Sequence, residues 1–158
     1  HGKRVIAWDE VLETHLPDDT IIMNWREGAG VRTAVDRGFQ TIISTHDQTY
    51  LNYYQADPKD EPTALGEPIT LKDVYTARFE PAKLAEGRRG LVLGLQAQLW
   101  SEYLPDAASF QYMAFPRLCA LAERAWGSPE QSWEEFEERL RGHLPRLDAF
   151  GIRYRPLD

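Results

Sequence analysis

Four short runs rich in Val, Ile and Leu constrain this chain more than any other feature: Arg4 to Ala7, Ile21 to Asn24, Thr41 to Ser44, and Leu91 to Leu99. Each is continuous rather than alternating, the pattern of strands covered on both faces of a parallel sheet. Helical patterns lie between and after them. Gly28 to Arg37 puts Val31, Ala34 and Val35 on one face and meets a natural stop at Gly38. Leu71 to Ala77 predicts a short helix capped by Thr70, with Asp73 in its first turn. Ser109 to Trp126 predicts one long helix, with Phe110, Met113, Ala114, Leu118, Leu121, Ala122 and Ala125 near 3.6 spacing. Ser132 to Phe150 predicts a last amphipathic helix, with Trp133, Phe136, Leu140, Leu144 and Leu147 opposite a solvated run of Glu.

Strand and helix therefore alternate, which implies an α/β fold with a mainly parallel sheet, either doubly wound or part of a (β/α)8 barrel. Four such units make half a barrel. One segment, Thr45 to Pro68, has no pattern of its own, and a loop that long inside a compact domain is a place to look for site residues.

Composition narrows the function. With 42% hydrophobic and 27% charged residues, the 158-residue chain can bury a core of about one domain. A net charge of -7 with Lys and Arg scattered gives no basic stripe for a nucleic-acid backbone. No apolar stretch approaches the roughly 20 residues of a membrane span, and the N-terminus has no hydrophobic signal core. The single cysteine, Cys119, sits in an apolar helical pattern and reads as a small buried residue, so the redox compartment stays open. Neither metal nor cofactor is expected: His15, His46 and His143 are not at ligand spacing, and GAG at 28–30 lacks the rest of a dinucleotide fingerprint. No nucleophile elbow of the GxSxG type is present.

Polar aromatic residues follow the four runs: Trp8, Trp25, Tyr50, and Trp100 with Glu102. In parallel α/β folds those positions share the face that carries active sites. Any one tryptophan could be core, but four equivalent positions predict an aromatic-walled pocket. Rings stacking on C–H faces, with polar groups for hydroxyls, suit a sugar.

The adjacent carboxylates of VIAWDE, Asp9 and Glu10, invite comparison with a glycosidase acid pair. Neighbouring strand residues point to opposite faces, and such enzymes hold their carboxyls roughly 5 to 9.5 Å apart. Asp9 and Glu10 are therefore expected to open the following helix, where the dipole favours negative charge.

The stretches VIAWDEV (5–11), IIMNWREG (21–28), TYLNYYQ (49–55), GLQAQLWSEY (94–103) and FPRLCALAERAW (115–126) together resemble glycoside hydrolase family 20, the β-N-acetylhexosaminidases. The resemblance covers nearly the whole chain and implies that residues 1–158 are the C-terminal half of the family's catalytic barrel, a fragment whose N-terminal half is absent. In that family the substrate's 2-acetamido carbonyl is the nucleophile and forms an oxazolinium intermediate. The resemblance implies that Trp8, Trp25 and Trp100 wall the sugar site and that Tyr50 donates to the acetamido oxygen. It also implies that Glu102 accepts from the sugar's outer hydroxyls together with residue 52, where this chain has Asn52 in place of the commoner Asp. The family's catalytic Asp-Glu motif and its sugar-gripping arginine have no counterpart in these residues, so the chain alone is expected to lack its general acid and to be inactive.

The implied partners are an N-acetylhexosamine-terminated oligosaccharide or glycoconjugate and the missing half of the barrel, with no nucleic acid and no membrane. Family relatives are often secreted or envelope-associated, but the residues themselves do not fix a compartment. A half barrel exposes two sheet edges, so the fragment is expected to pair, self-associate or be marginally stable. Three alternatives remain on the residues alone. One is a non-catalytic carbohydrate-binding protein. Another is an interaction half-domain that docks through Trp133, Phe136 and Leu140. The third is an enzyme using Glu10 as its acid.

Overall fold

The computed structural model describes residues 2–26, 28–79, 84, 87–127 and 132–157. The chain divides into two compact units, His1–Thr49 with Arg78–Gln96, and Tyr50–Ala77 with Ala97–Asp158.

The first unit carries the sheet. Strands β1 (Ile6–Trp8), β2 (Ile21–Asn24), β3 (Gln40–Ile43) and β4 (Val92–Leu95) pair in sequence order, all parallel. The four apolar runs are thus strands, with shifted bounds. β1 begins later than Arg4 and takes in Trp8, and β4 stops well short of Leu99. It stops because its neighbour does. β3 ends at Ile43, whose carbonyl accepts a last bond from Gln96 N at 2.9 Å, and the chain then turns into α2 (His46–Thr49).

Burial corrects the expectation that all four strands are covered on both faces. Ile22 and Ile43 of the central strands are buried, whereas Ile6 and Leu93 on the outer strands are 51% and 48% exposed. An outer strand has a neighbour on one side only, so half of its polar backbone and much of its apolar surface stay open.

Helix α1 (Ala29–Asp36) covers one face of this sheet. Its apolar positions serve two clusters, Ala34 with Ile22 and Phe39, and Val31 and Val35 with Ile43. Each such side chain, taken fully out of water, contributes about 1.5–3 kcal/mol before entropy is charged against it. The predicted stop is a Schellman turn: Gly38, at φ 86°, donates to Val35 O at 3.0 Å and Phe39 N donates to Ala34 O at 3.0 Å. Phe39 then packs back on Ala34, as that turn requires.

The second unit is helical. Helix α3 (Leu71–Thr76) starts at a full capping box, Thr70 Oγ1 accepting from Asp73 N at 3.1 Å and Asp73 Oδ2 from Thr70 N at 2.9 Å. The single helix expected over Ser109 to Trp126 is two: α4 (Ala107–Ala114), capped by Asp106, and α5 (Arg117–Trp126). Pro116 separates them. It has no N–H to give, and Phe115 before it is extended, at φ -104° and ψ 141°. Phe110, assigned to the apolar face of one continuous helix, is instead exposed.

Helix α6 (Trp133–Ala149) follows, opened by a second capping box between Ser132 and Glu135. Its Phe136 stacks on Tyr75 of α3 at 4.3 Å, and Trp133 meets the same ring edge-on at 5.8 Å. Phe136 and Leu140 are buried in this unit, which removes them as an open docking surface. The segment from Thr45 to Pro68 is also less bare than its sequence suggests. It holds α2 at its start and single parallel bridges of Tyr50 with Gln98 and Tyr53 with Leu65.

Candidate functional site

In the first unit the WDE stretch ends a strand and begins a turn. Trp8 closes β1, and Asp9–Glu13 form a 3-10 helix with both carboxylates in its first turn. Asp9 turns inward and Glu10 outward: the Asp9 side chain is 2% exposed and that of Glu10 50%. Both meet Arg26, the residue after Trp25, at 3.4 Å from Nε to Asp9 Oδ1 and 3.5 Å from Nη2 to Glu10 Oε1. Glu10 Oε1 also accepts the indole N–H of Trp25 at 2.9 Å.

The two acids sit in different electrostatic settings. Burial pushes the Asp9 carboxyl up from its ordinary value, more than the Arg26 amide and guanidinium hold it down. For Glu10 burial also acts upward. There, however, the bond from its own backbone N–H, the Trp25 indole and Arg26 together leave the carboxyl below its ordinary value. A general acid at neutral pH needs the reverse of the Glu10 setting. The pair opens a short helix, as the sequence suggested.

Trp25 is half-buried. The His46 amide donates to its carbonyl at 2.8 Å, and the His46 ring lies 6.0 Å from the indole. Behind this corner Gly30 lets α1 approach closely. A Cβ there would fall 2.7 Å from Asn24 Oδ1 and 2.9 Å from Asp9 Oδ2.

In the second unit Tyr50 and Trp100 come together, ring centroids 6.4 Å apart and inclined at 55°, and Tyr53 meets Tyr50 edge-on at 5.7 Å. Backbone pairing sets this up, because Leu51 N donates to Gln98 O at 2.8 Å. Tyr50 is buried, whereas Trp100 is 42% exposed at the head of a 3-10 helix, Ser101–Tyr103, that presents Glu102 to solvent. Asn52 is 5% exposed, and its Oδ1 accepts no hydrogen bond from any described residue.

One residue of this region was not singled out from the sequence. Arg117, the first residue of α5, is fully buried. Its Nη1 donates to the carbonyls of Tyr53, Tyr54 and Ile69 at 3.1, 3.4 and 2.8 Å, and its Nη2 to those of Leu51 and Met113 at 2.7 and 2.9 Å. Burial pulls its pKa down to about 9. The guanidinium thus ties down the main chain on either side of Asn52. The available signal was an arginine directly after Pro116, on the helical face of Ala120 and Leu121.

Among the described residues there is no group of three or more His, Cys, Asp and Glu that could hold a metal ion, and no helix long and apolar enough to cross a membrane. Cys119 is half-buried on α5, and burial pushes its thiol up to about 11, which leaves it a poor nucleophile.

Parallel strands in sequence order, with tryptophans at or just past the carboxyl ends of β1 and β2, define an α/β protein of the kind that carries its chemistry on the loops after the strands. The family is specific: residues 1–129 match the glycosyl hydrolase family 20 catalytic domain, and the chain belongs to that family. It is 38% identical over 156 residues to a β-hexosaminidase of Porphyromonas gingivalis, covering 98% of this chain and 20% of the relative. A β-N-acetylhexosaminidase of Cellulomonas fimi is 32% identical, with 97% of this chain and 32% of the relative covered. Among solved structures, an inactive mutant of the family 20 exo-β-N-acetylglucosaminidase of Vibrio harveyi superposes with a TM-score of 0.90 at 31% identity, over 98% of this chain and 25% of that one. The chain thus spans between a fifth and a third of the length of these relatives.

Proposed function

We infer that residues 1–158 are the C-terminal part of the catalytic barrel of a β-N-acetylhexosaminidase. The whole enzyme removes terminal N-acetylhexosamine from an oligosaccharide or glycoconjugate by substrate-assisted, retaining hydrolysis. The acetamido carbonyl oxygen attacks the anomeric carbon as the glycosidic bond breaks, and a protonated carboxyl delivers its proton to the leaving oxygen. Water then opens the oxazolinium ring and restores the acetamide. Tyr50 donates to the acetamido oxygen and holds it at the anomeric carbon, a positioning effect worth on the order of 7 kcal/mol when geometry is right. Trp8, Trp25 and Trp100 pack on the sugar and its acetamido group. Asn52 and Glu102 accept from the outer hydroxyls.

The general acid and the aspartate that orients the acetamido nitrogen come from polypeptide outside these residues. The same polypeptide supplies the strands that cover the exposed edges of β1 and β4. In the absence of that segment, the chain does not turn over a glycoside.

The observation that carries this reading is the trio in the second unit. A buried tyrosine rests against a half-exposed tryptophan, and two residues further along the chain from that tyrosine Asn52 is buried with an amide oxygen that accepts from no described residue. That arrangement supports stacking plus hydroxyl recognition, within a family whose relatives bear hexosaminidase names. The test is chromophore release from an aryl N-acetyl-β-glucosaminide by this chain alone and by the chain mixed with a separately expressed N-terminal half. Activity only in the mixture is the expected result. Activity of the chain alone returns the acid role to Asp9 or Glu10, and binding of N-acetylglucosamine without turnover in any combination favours a carbohydrate-binding protein.

A further inference from the structure

We propose that Glu10 is a positioning residue for Trp25: its carboxylate accepts the indole N–H and sets the orientation of the ring. The inference rests on the reading that Trp25 meets the substrate. Trp25 is only half-buried, and its ring can turn about two bonds, so a polar anchor restricts the rotamers open to it. Three contacts supply it. Glu10 Oε1 accepts the indole N–H at 2.9 Å, and the His46 amide fixes the main chain by donating to the Trp25 carbonyl at 2.8 Å. The Arg26 guanidinium carbon stands 5.7 Å over the indole.

Arg26 also holds the anchor itself. Its Nη2 lies 3.5 Å from the same Glu10 oxygen, while its Nε reaches Asp9 Oδ1 at 3.4 Å, so the cation fixes the outward carboxylate against an inward one. The second acid of WDE thereby serves a tryptophan fifteen residues further along the chain. With half of its side chain in solvent, Glu10 fills no core volume, and its removal leaves no cavity.

The chemistry separates this role from acid catalysis. A glutamine at position 10 keeps an oxygen for the indole N–H but has no proton to give a leaving group, whereas an alanine has neither. In the active polypeptide that carries this chain, Glu10→Ala is expected to lower kcat/KM for an aryl N-acetyl-β-glucosaminide about tenfold by letting the ring turn. Glu10→Gln recovers most of that loss. In a Trp25→Phe background, which has no N–H, Glu10→Ala has no further effect. Abolished turnover in Glu10→Gln, or equal losses from Glu10→Ala with and without Trp25→Phe, overturns the inference. If instead Trp25→Phe alone changes neither kcat nor KM, it is the assignment of Trp25 to the substrate that fails.

The bond itself is read without turnover, from the indole 1H–15N resonance of Trp25, assigned by its loss in Trp25→Phe. Its proton moves upfield in Glu10→Ala and stays in place in Glu10→Gln. An unmoved resonance in Glu10→Ala means that no such anchor exists.

Discussion

The two units each hold one arginine against residues proposed for a site, in opposite ways. Arg26 is half in solvent and reaches side-chain carboxylates, Asp9 and Glu10, beside a single indole. Arg117 has no solvent at all and, among the described residues, reaches only main-chain carbonyls, five of them, spread over Leu51, Tyr53, Tyr54, Ile69 and Met113. The first arrangement adjusts one side chain and is weakened by water and salt. The second organises a loop, because one buried guanidinium joins carbonyls from separate stretches of the chain, where losing a partner costs more than at the surface. Loss of the first should therefore show in the site, and loss of the second in the fold.

The largest effect should come from Arg117→Ala. Removing the guanidinium orphans buried carbonyls on both sides of Asn52, at a cost of at least about 3 kcal/mol. Urea unfolding followed by circular dichroism is the measurement. A loss below 1 kcal/mol would mean that the loop is held by other contacts and that the contrast with Arg26 is false. Arg117→Lys sharpens the same point, since one ammonium with three protons cannot span the carbonyls a planar fork reaches, and it should recover less than half of the loss.

Next is Gly30→Ala in the first unit. In most helices that exchange stabilises by about 1 kcal/mol. Here the added carbon falls 2.7 Å from Asn24 Oδ1 and 2.9 Å from Asp9 Oδ2, so the sign reverses to a loss of about 1–3 kcal/mol. A higher melting temperature for the variant would show that α1 stands further from the Asp9 corner than these distances. Smaller again is Thr70→Ala, which removes one reciprocal cap from α3 and should cost about 1 kcal/mol, read from the same urea curves.

These residues also mark how far the sequence could be read. The strands, the Gly38 stop and the Thr70 cap were legible because each depends on neighbours within a few positions. Pro116 was visible too, but the 3.6 period of apolar residues runs through it, and the period was followed where the missing N–H should have ended the helix. Arg117, Gly30 and the Glu10–Trp25 bond were not legible from local rules. Their meaning lies mostly in distant partners, 15 residues away for Glu10 and up to 66 for Arg117, or, for Gly30, in a side chain that is not there. Position after the apolar runs singles out Tyr50, Trp100 and Glu102, and the resemblance to family 20 adds the roles expected of them, whereas the contact of Tyr50 with Trp100 is a product of the Tyr50–Gln98 bridge.

The smallest effect concerns Asp9, where the Arg26 corner can be tested for whether its inward carboxylate helps the fold at all. Burial raises the Asp9 carboxyl above its ordinary value despite Arg26, so the folded state binds that proton more tightly than the unfolded chain does. A group of this kind contributes stability that is fully present below the unfolded value and is lost as pH rises through the folded one. At pH 7 the charged Asp9 is therefore a net burden, with Oδ1 lacking a hydrogen-bond donor and the similarly unsatisfied Asn24 Oδ1 across the same gap at Gly30. Asp9→Asn removes the charge and brings an N–H2 toward that second oxygen. Its melting temperature should equal or exceed that of the parent at pH 7, by less than about 1 kcal/mol in stability, and the advantage should shrink as pH falls through the Asp9 titration. A variant that is less stable at pH 7, by an amount that vanishes in acid, would mean that the ion pair with Arg26 outweighs burial, and that the two arginines differ in degree and not in kind.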